Sequence, residues 1–376
     1  MEVPGSDIIT GYFAFGGNMS EVLRCVLIGC GRISPKHIEV MSNLPGVELA
    51  GVCDIRPDRL ARAAAASGAE PFSDYMDMVR AVTPDIVAVL TESGSHARIT
   101  CDVVPYTRNI VVEKPMALTL DDADGMIGAC DHAGVSIFVV KQNRYNRPVV
   151  KLRQALDAGR FGKLALGTVR VRWCRPQSYY DQDAWRGTWR DDGGVFANQA
   201  SHHVDLLQWM MGPVESVQSY TATRLVDIEV EDVGLAILRF ASGALGVVEA
   251  TTCARPTDLE GSLSILGERG AVVLGGFAVN RVDTWNFDVP SPEDENPAEW
   301  SENPPSVYGY GHLEFYKDII GCIRDKRRAM LDGLEGRKSL ELIIAIYQAA
   351  ATRNEVRLRY VPEGVPLGVG NRRRSG

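Results

Sequence analysis

The chain has 376 residues, 45% of them hydrophobic and 23% charged, with a net charge of −8 at neutral pH. That is an ordinary globular composition with material for two or three domains, and the acidic balance gives no footing for nucleic acid or an anionic membrane surface. Its eight cysteines form no CxxC pair and several sit in apolar strand-like runs, which reads as reduced thiols in a cytoplasmic protein and argues against a disulfide frame or a zinc site.

No apolar run is long enough to span a membrane. The first basic residue is Arg24, so the start lacks a signal-peptide pattern. Residues 1–22 read as a loose extension, with Met19 a candidate start, and residues 362–376, which include NRRR, as a solvated tail.

From Leu23 to Lys141, short apolar runs alternate with helical stretches. CVLIG, VELAGVCD, DIVAVL, NIVVEK and SIFVV are nearly continuous in hydrophobicity, as parallel strands covered on both faces are. Helical patterns over Asp58–Ser67 and Leu120–Ala133 complete a βαβ rhythm, which predicts an α/β fold with a doubly wound parallel sheet over residues 23–141.

The first strand runs into Gly29-x-Gly31-x-x-Ser34, with Arg32 and Ile33 inside the turn and a helix after it. Gly29 permits the tight turn, Gly31 lets a pyrophosphate approach the backbone, and free N–H groups at the helix start bind the anion. Asp54 ends the next strand, 20 residues beyond Ser34, where a carboxylate binds the adenosine ribose hydroxyls and repels a 2′-phosphate. NAD is therefore favoured over NADP, although Arg56 partly offsets that repulsion. Thr91, Ser93 and His96 follow the fourth strand at the ligand-binding edge, His96 reading equally as a cofactor contact or a helix cap. The fifth strand ends in Glu113-Lys114-Pro115, which aims a lysine at the nicotinamide; the cationic ring and partial burial lower its pKa.

After Gln142 the rhythm changes. A helix over Pro148–Ala158 precedes LALGTVRVRW, VGLAILRF, GALGVVEATT, GSLSILG and AVVLGG, a cluster of alternating strands that predicts a mostly antiparallel sheet over residues 142–361. Helices over Gly311–Asp325 and Gly336–Asn354 close the chain, and the acidic piece at 290–306 reads as a solvated loop. In DDGGVFANQASHHVDLL (191–207), taken as one buried helix, Asn198, His202 and Asp205 share a face. A polar stripe on a buried helix must be hydrogen-bonded or line a cavity, so His202 is expected to face a cleft and His203 to be structural.

GCGRIS, Asp54, Glu113-Lys114-Pro115 and His202-x-x-Asp205 after Gly193-Gly194 together resemble the Gfo/Idh/MocA oxidoreductase family, in order from Leu23 to about Asn354. The resemblance implies a Rossmann domain followed by an α/β domain with an open, mostly antiparallel sheet, NAD as cofactor, no metal, and Lys114, His202 and Asp205 as catalytic residues. It also implies cofactor contacts from Glu113 and Gln142, and a homodimer or homotetramer formed through the open sheet. Many relatives carry Asp where this chain has Asn198, which rules out a relay through a carboxylate at that position. KQNRYN (141–146), RPQSYYDQDAWRGTW (175–189) and the Gly193–Val217 run resemble the family's sugar-nucleotide branch. That branch implies oxidation of the C3′ hydroxyl of a UDP-linked N-acetyl sugar acid, UDP-GlcNAcA. Lys114 or His202 then serves as base, and Asp205 is placed to fix the His202 tautomer.

For the substrate's oxyanions the candidates are Arg144, Arg172, Arg186 and Arg190, with Tyr179, Tyr180 and Trp185 to stack on uracil or sugar, and Asn198 and Ser201 to line the pocket. The alternatives are UDP-GlcNAc, a sugar phosphate or an inositol as substrate, a glycoside-cleaving NAD enzyme, or a non-catalytic NAD-binding regulator.

Overall fold

The computed structural model describes residues 22–304 and 308–358; the expectations for residues 1–21 and for the tail lie outside the described residues. Six strands form the first sheet: Leu23–Ile28 (β1), Val47–Cys53 (β2), Glu70–Phe72 (β3), Ile86–Val89 (β4), Asn109–Val112 (β5) and Ser136–Val139 (β6). Their order is β3-β2-β1-β4-β5-β6 and every pairing is parallel. All residues of β4 and β5 are buried, because helices cover both faces of the sheet. Those helices include Ser34–Asn43 (α1), Pro57–Ser67 (α2), Tyr75–Val82 (α3), His96–Val103 (α4) and Leu120–Ala133 (α5). The strand order reverses between β1 and β4, which opens a crevice at their carboxyl ends.

The second half begins with Arg147–Asp157 (α6), Leu164–Arg172 (β7), Gln177–Tyr180 (α7) and Ser201–Met211 (α8). Val214–Ala222 (β8), Val233–Phe240 (β9), Leu245–Thr251 (β10), Glu260–Gly267 (β11), Gly270–Gly275 (β12) and Arg281–Phe287 (β13) follow. With the two-residue Val356–Arg357 (β14) they make an eight-stranded sheet, antiparallel except between β7 and β10. Burial alternates strictly along β9, so one face packs on helices while Leu235 and Ile237 point outward from the other. The loop at 290–304 is more than a solvated insertion. Trp300 is buried edge-on against Trp285 at 4.7 Å, and Asp294 accepts from the Trp285 indole at 2.6 Å.

Two helices tie the halves together. In Gly311–Asp325 (α9), Phe315, Tyr316, Ile319 and Ile320 join the core beneath β1, β4 and β6. Gly333–Thr352 (α10) places Leu340 in the first sheet's other core and Ile343 and Ile346 in the second domain's core.

The expectation of one helix over 191–207 is half right. Regular α-helix starts only at Ser201; Val195–Gln199 is a π-turn in which Ala200 N–H reaches back to the Val195 carbonyl at 2.8 Å. Phe196 anchors this turn, fully buried, with its ring lying over Gly234 on β9.

A Cβ at position 234 would fall 2.2 Å from a Phe196 ring carbon. Gly234→Ala is therefore expected to cost roughly 1–3 kcal/mol of stability, read from the urea midpoint. Phe196→Leu in the same chain should recover part of that loss if overpacking is the cause.

Candidate active site

A cleft of about 440 Å³ lies between the two sheets, at the crevice of the first. At one end the turn after β1 has the shape the glycine spacing implies. Gly29 has φ +97°, and a Cβ there would strike the Leu90 and Thr91 backbone at 2.8 Å. A Cβ on Gly31 would meet nothing within 4 Å, so this backbone faces open space above the start of α1. Ser34 Oγ donates to the Gly31 carbonyl at 2.8 Å, and Pro35 occupies the first helical turn. Asp54 is held with both oxygens occupied by backbone, accepting from Cys30 N at 2.7 Å and Arg56 N at 2.8 Å. Arg32, Ile33, Arg56, Thr91, Ser93 and Gln142 also line the cleft, and the Gln142 side-chain oxygen has no partner. The exposed glycine backbone, the fixed carboxylate and the unpartnered amide fit an adenine dinucleotide.

His96 is not part of that surface. It is buried, its Nδ1 2.8 Å from the Pro115 carbonyl and its Nε2 3.0 Å from the Thr91 carbonyl. It braces the turn after β4 against the turn after β5, and is not a cofactor contact.

The reacting end is built around Lys114 and Asn198. Lys114 Nζ donates to the Asn198 backbone carbonyl at 2.8 Å and lies 3.4 Å from its side-chain oxygen. The π-turn makes this possible, since it directs both oxygens of Asn198 at the lysine. Asn198 Nδ2 in turn donates to Asp192, whose other oxygen accepts from Gly187 N at 2.7 Å. The carboxylate missing at position 198 thus enters from six residues earlier, behind the amide. Burial raises the Asp192 pKa.

His202 lines the same cleft as Lys114, with its Nδ1 unpartnered by protein. Burial lowers the pKa of Lys114 and pushes His202 well below the usual imidazole value, the nearby Lys114 and Lys141 adding to the latter. Both groups are biased toward the neutral, proton-accepting form. Glu113 opposes this for Lys114. Burial alone would raise the Glu113 pKa, yet its bond with His37 brings it to about 2. His37 Nε2 lies 3.0 Å from the Glu113 carboxylate and Nδ1 2.7 Å from the Tyr316 hydroxyl, so α1 and α9 hold the charge beneath Lys114. The second Glu113 oxygen accepts from Lys114 N at 2.9 Å.

Several expectations need correction. Asp205 does not orient His202; its oxygens take a bidentate bond from Arg144 at 2.8 Å each. Arg144 is consequently no substrate ligand, being buried between Asp205 and Glu335. Ser201 is buried outside the cleft lining, its hydroxyl 3.5 Å from the Asn198 carbonyl. Arg172 pairs with Glu249 and Glu260 on the open sheet face. Arg190 projects into solvent, and Tyr180 turns inward to Thr252. His203 is fully buried, edge-on to Trp173 at 5.7 Å, in the structural role expected of it.

Tyr179, Trp185 and Arg186 do line the cleft. The Arg186 guanidinium sits 4.6 Å from the Tyr179 ring centre and 4.5 Å from that of Trp185, and its Nε has no hydrogen-bond partner. Arg32 and Arg175 approach the same Tyr179 ring at 5.3 and 5.5 Å. The sequence pattern did not single out Arg175, Asp192 or His37. Arg175 opens the 175–189 run and Asp192 lies in the 191–207 stretch, but neither falls on a spacing that assigns it a role, and nothing local marks His37 as buried.

Two family models match this chain. Residues 23–141 match the oxidoreductase family with an NAD-binding Rossmann fold, and residues 149–273 match the GFO/IDH/MocA C-terminal domain. The WlbA dehydrogenase from Bordetella pertussis, crystallised with NADH and UDP-GlcNAcA, is 45% identical over 91% of this chain and 99% of its own, with a TM-score of 0.88. The myo-inositol 2-dehydrogenase of Thermotoga maritima is 26% identical over 90% of this chain and 99% of its own. A D-apiose dehydrogenase of Paraburkholderia graminis is likewise 26% identical, over 90% of this chain and 91% of its own. No helix among the described residues is long and apolar enough to cross a membrane.

Removing one partner of the Arg144–Asp205 pair strands a buried charge. Asp205→Asn should lose about 3 kcal/mol of stability in denaturant titration, with NAD affinity by calorimetry unchanged. A large loss of NAD affinity at full stability would return Asp205 to the ligand surface.

Proposed function

We propose that this chain, which belongs to the Gfo/Idh/MocA oxidoreductase family and is an NAD-dependent sugar dehydrogenase, oxidises the C3′ hydroxyl of UDP-GlcNAcA to a ketone. The observation that carries the substrate assignment is the cluster of Arg32, Arg175 and Arg186 around Tyr179, beside Lys114. A neutral polyol gives little reason to gather three guanidiniums at one ring; Arg175 is already paired with Asp258 and the Arg186 Nε lies 3.5 Å from Asp183, and a diphosphate and a uronate supply further anions for this corner. Arg186, enclosed and with an Nε that makes no hydrogen bond and has Asp183 3.5 Å away, is the residue assigned to a substrate oxyanion. The 45% identity to a WlbA dehydrogenase that binds UDP-GlcNAcA supports the same reading.

Bound NAD supplies the hydride acceptor at nicotinamide C4. Lys114, its pKa lowered by burial, takes the O3′ proton, with the Asn198 carbonyl fixing its amine in place. His202, also uncharged, hydrogen-bonds the same hydroxyl from the second domain. The open sheet face carries exposed Leu235, Ile237, Leu245 and Leu266, which supports a homodimer or homotetramer. Reduced thiols and the nucleotide-sugar substrate support a cytoplasmic location.

The purified protein should convert UDP-GlcNAcA with NAD to a sugar nucleotide lighter by two hydrogens, read by mass as well as by NADH absorbance. UDP-GlcNAc and myo-inositol should react far more slowly, and turnover of myo-inositol alone would overturn the assignment. Lys114→Met and His202→Asn should each nearly abolish turnover while still binding NAD.

The pH profile has a definite sign. A lysine base works only when neutral, so kcat/KM should rise with pH through the lowered Lys114 pKa and then level off. His202 is already neutral across that range. Glu113→Gln removes the anion that holds the Lys114 pKa up, and should move the rising limb to lower pH.

A further inference from the structure

The adenosine end of the cleft holds two more guanidiniums. Arg56 stands two residues after Asp54, and Arg59 lies in the first turn of α2; both face the cleft beside the carboxylate expected to bind the ribose hydroxyls. An arginine pair next to the ribose is the arrangement that captures a 2′-phosphate, through charge-assisted bonds to its oxygens. Left alone, it would work against the selectivity that Asp54 provides.

It is not left alone. Asp183, from the 181–192 segment of the second domain, places one carboxylate oxygen in a hydrogen bond with Arg59 Nη2 and 3.7 Å from Arg56 Nη1. Its other oxygen lies 3.5 Å from Arg186 Nε. Asp183 itself is only 12% exposed, whereas Arg56 is 51% exposed and also touches Asp58 on its solvent side. We infer that Asp183 is a coenzyme-specificity residue: it supplies, from the opposite domain, the anion that Arg56 and Arg59 would otherwise take from a 2′-phosphate. An incoming phosphate would have to displace this carboxylate and then sit between it and Asp54. The proposal rests on NAD binding alone, and stands or falls independently of the sugar assigned above.

The test uses fragments of the coenzyme, so that no sugar nucleotide or turnover enters. Binding of 2′,5′-ADP and 5′-AMP is measured by calorimetry to the full chain, to Asp183→Ser and to Asp183→Asn, the last keeping the side chain's size if the first unfolds. Both variants should bind 2′,5′-ADP at least about tenfold more tightly, the effect of one charge-assisted bond gained. Binding of 5′-AMP should stay within about twofold. Adding Arg59→Ala to Asp183→Ser should erase the gain. If both fragments weaken together, Asp183 is a strut between domains and the proposal fails; it fails equally if neither fragment responds.

Discussion

A primary amine half-buried where two domains meet must find an oxygen, and in this protein that oxygen is the backbone carbonyl of Asn198. The requirement shapes everything around it. Lys114 sits at the end of β5 because that is where the crevice of a doubly wound sheet opens. The carbonyl reaches it only because Val195–Gln199 adopts a π-turn, and Phe196 locks that turn onto the second sheet. Beneath the lysine, His37, itself held by the Tyr316 hydroxyl, keeps Glu113 ionised, so α1 and α9 take part in setting the amine's charge without touching the cleft's contents. Rigidity between the halves is therefore part of the chemistry. It comes from α9 packing into the first core and α10 bridging both.

The electrostatic pattern divides into cations whose hydrogen bonds are complete and cations whose hydrogen bonds are not. Arg144 is satisfied internally by Asp205 and Glu335, and Arg172 by Glu249 and Glu260. Arg186, although its Nε lies 3.5 Å from Asp183, makes no hydrogen bond through that nitrogen in an enclosed, aromatic-lined corner. That difference, more than the number of arginines, marks where a ligand oxyanion belongs. The same logic applies at the far end of the cleft, where Asp183 has been brought across the domain gap to satisfy Arg59.

Much of this was legible in the sequence because it depends on local rules. Parallel strands buried on both faces leave continuous apolar runs, the glycine spacing follows from backbone approach, and Asp54 and Lys114 are fixed by their places at strand ends. Placing His202 toward the cleft and His203 in the core followed from which neighbours are apolar. What stayed hidden depends on partners distant in the chain. Asp205 could be set on a helical face, but nothing local revealed Arg144, 61 residues away, as its partner. Helical periodicity carried the α pattern through Val195–Gln199, because a single π-turn leaves no mark on apolar spacing. Strand β3 went unseen because it is a short, exposed edge. Asn198 correctly signalled the loss of one carboxylate, yet gave no hint that Asp192 folds in behind it.

The π-turn also explains why two adjacent histidines need not compete. Successive residues on an α-helix point about 100° apart, so only one of the pair can look into the cleft while the other enters the core beside Trp173. Shorten the turn by one residue with Lys114 still clasping it, and the outward post passes from His202 to His203, while Leu206 and Leu207 rotate away from their sheet. The imidazole would survive the deletion and the fold would not, so the length of this five-residue segment is guarded by hydrophobic packing more strictly than by the reaction it serves.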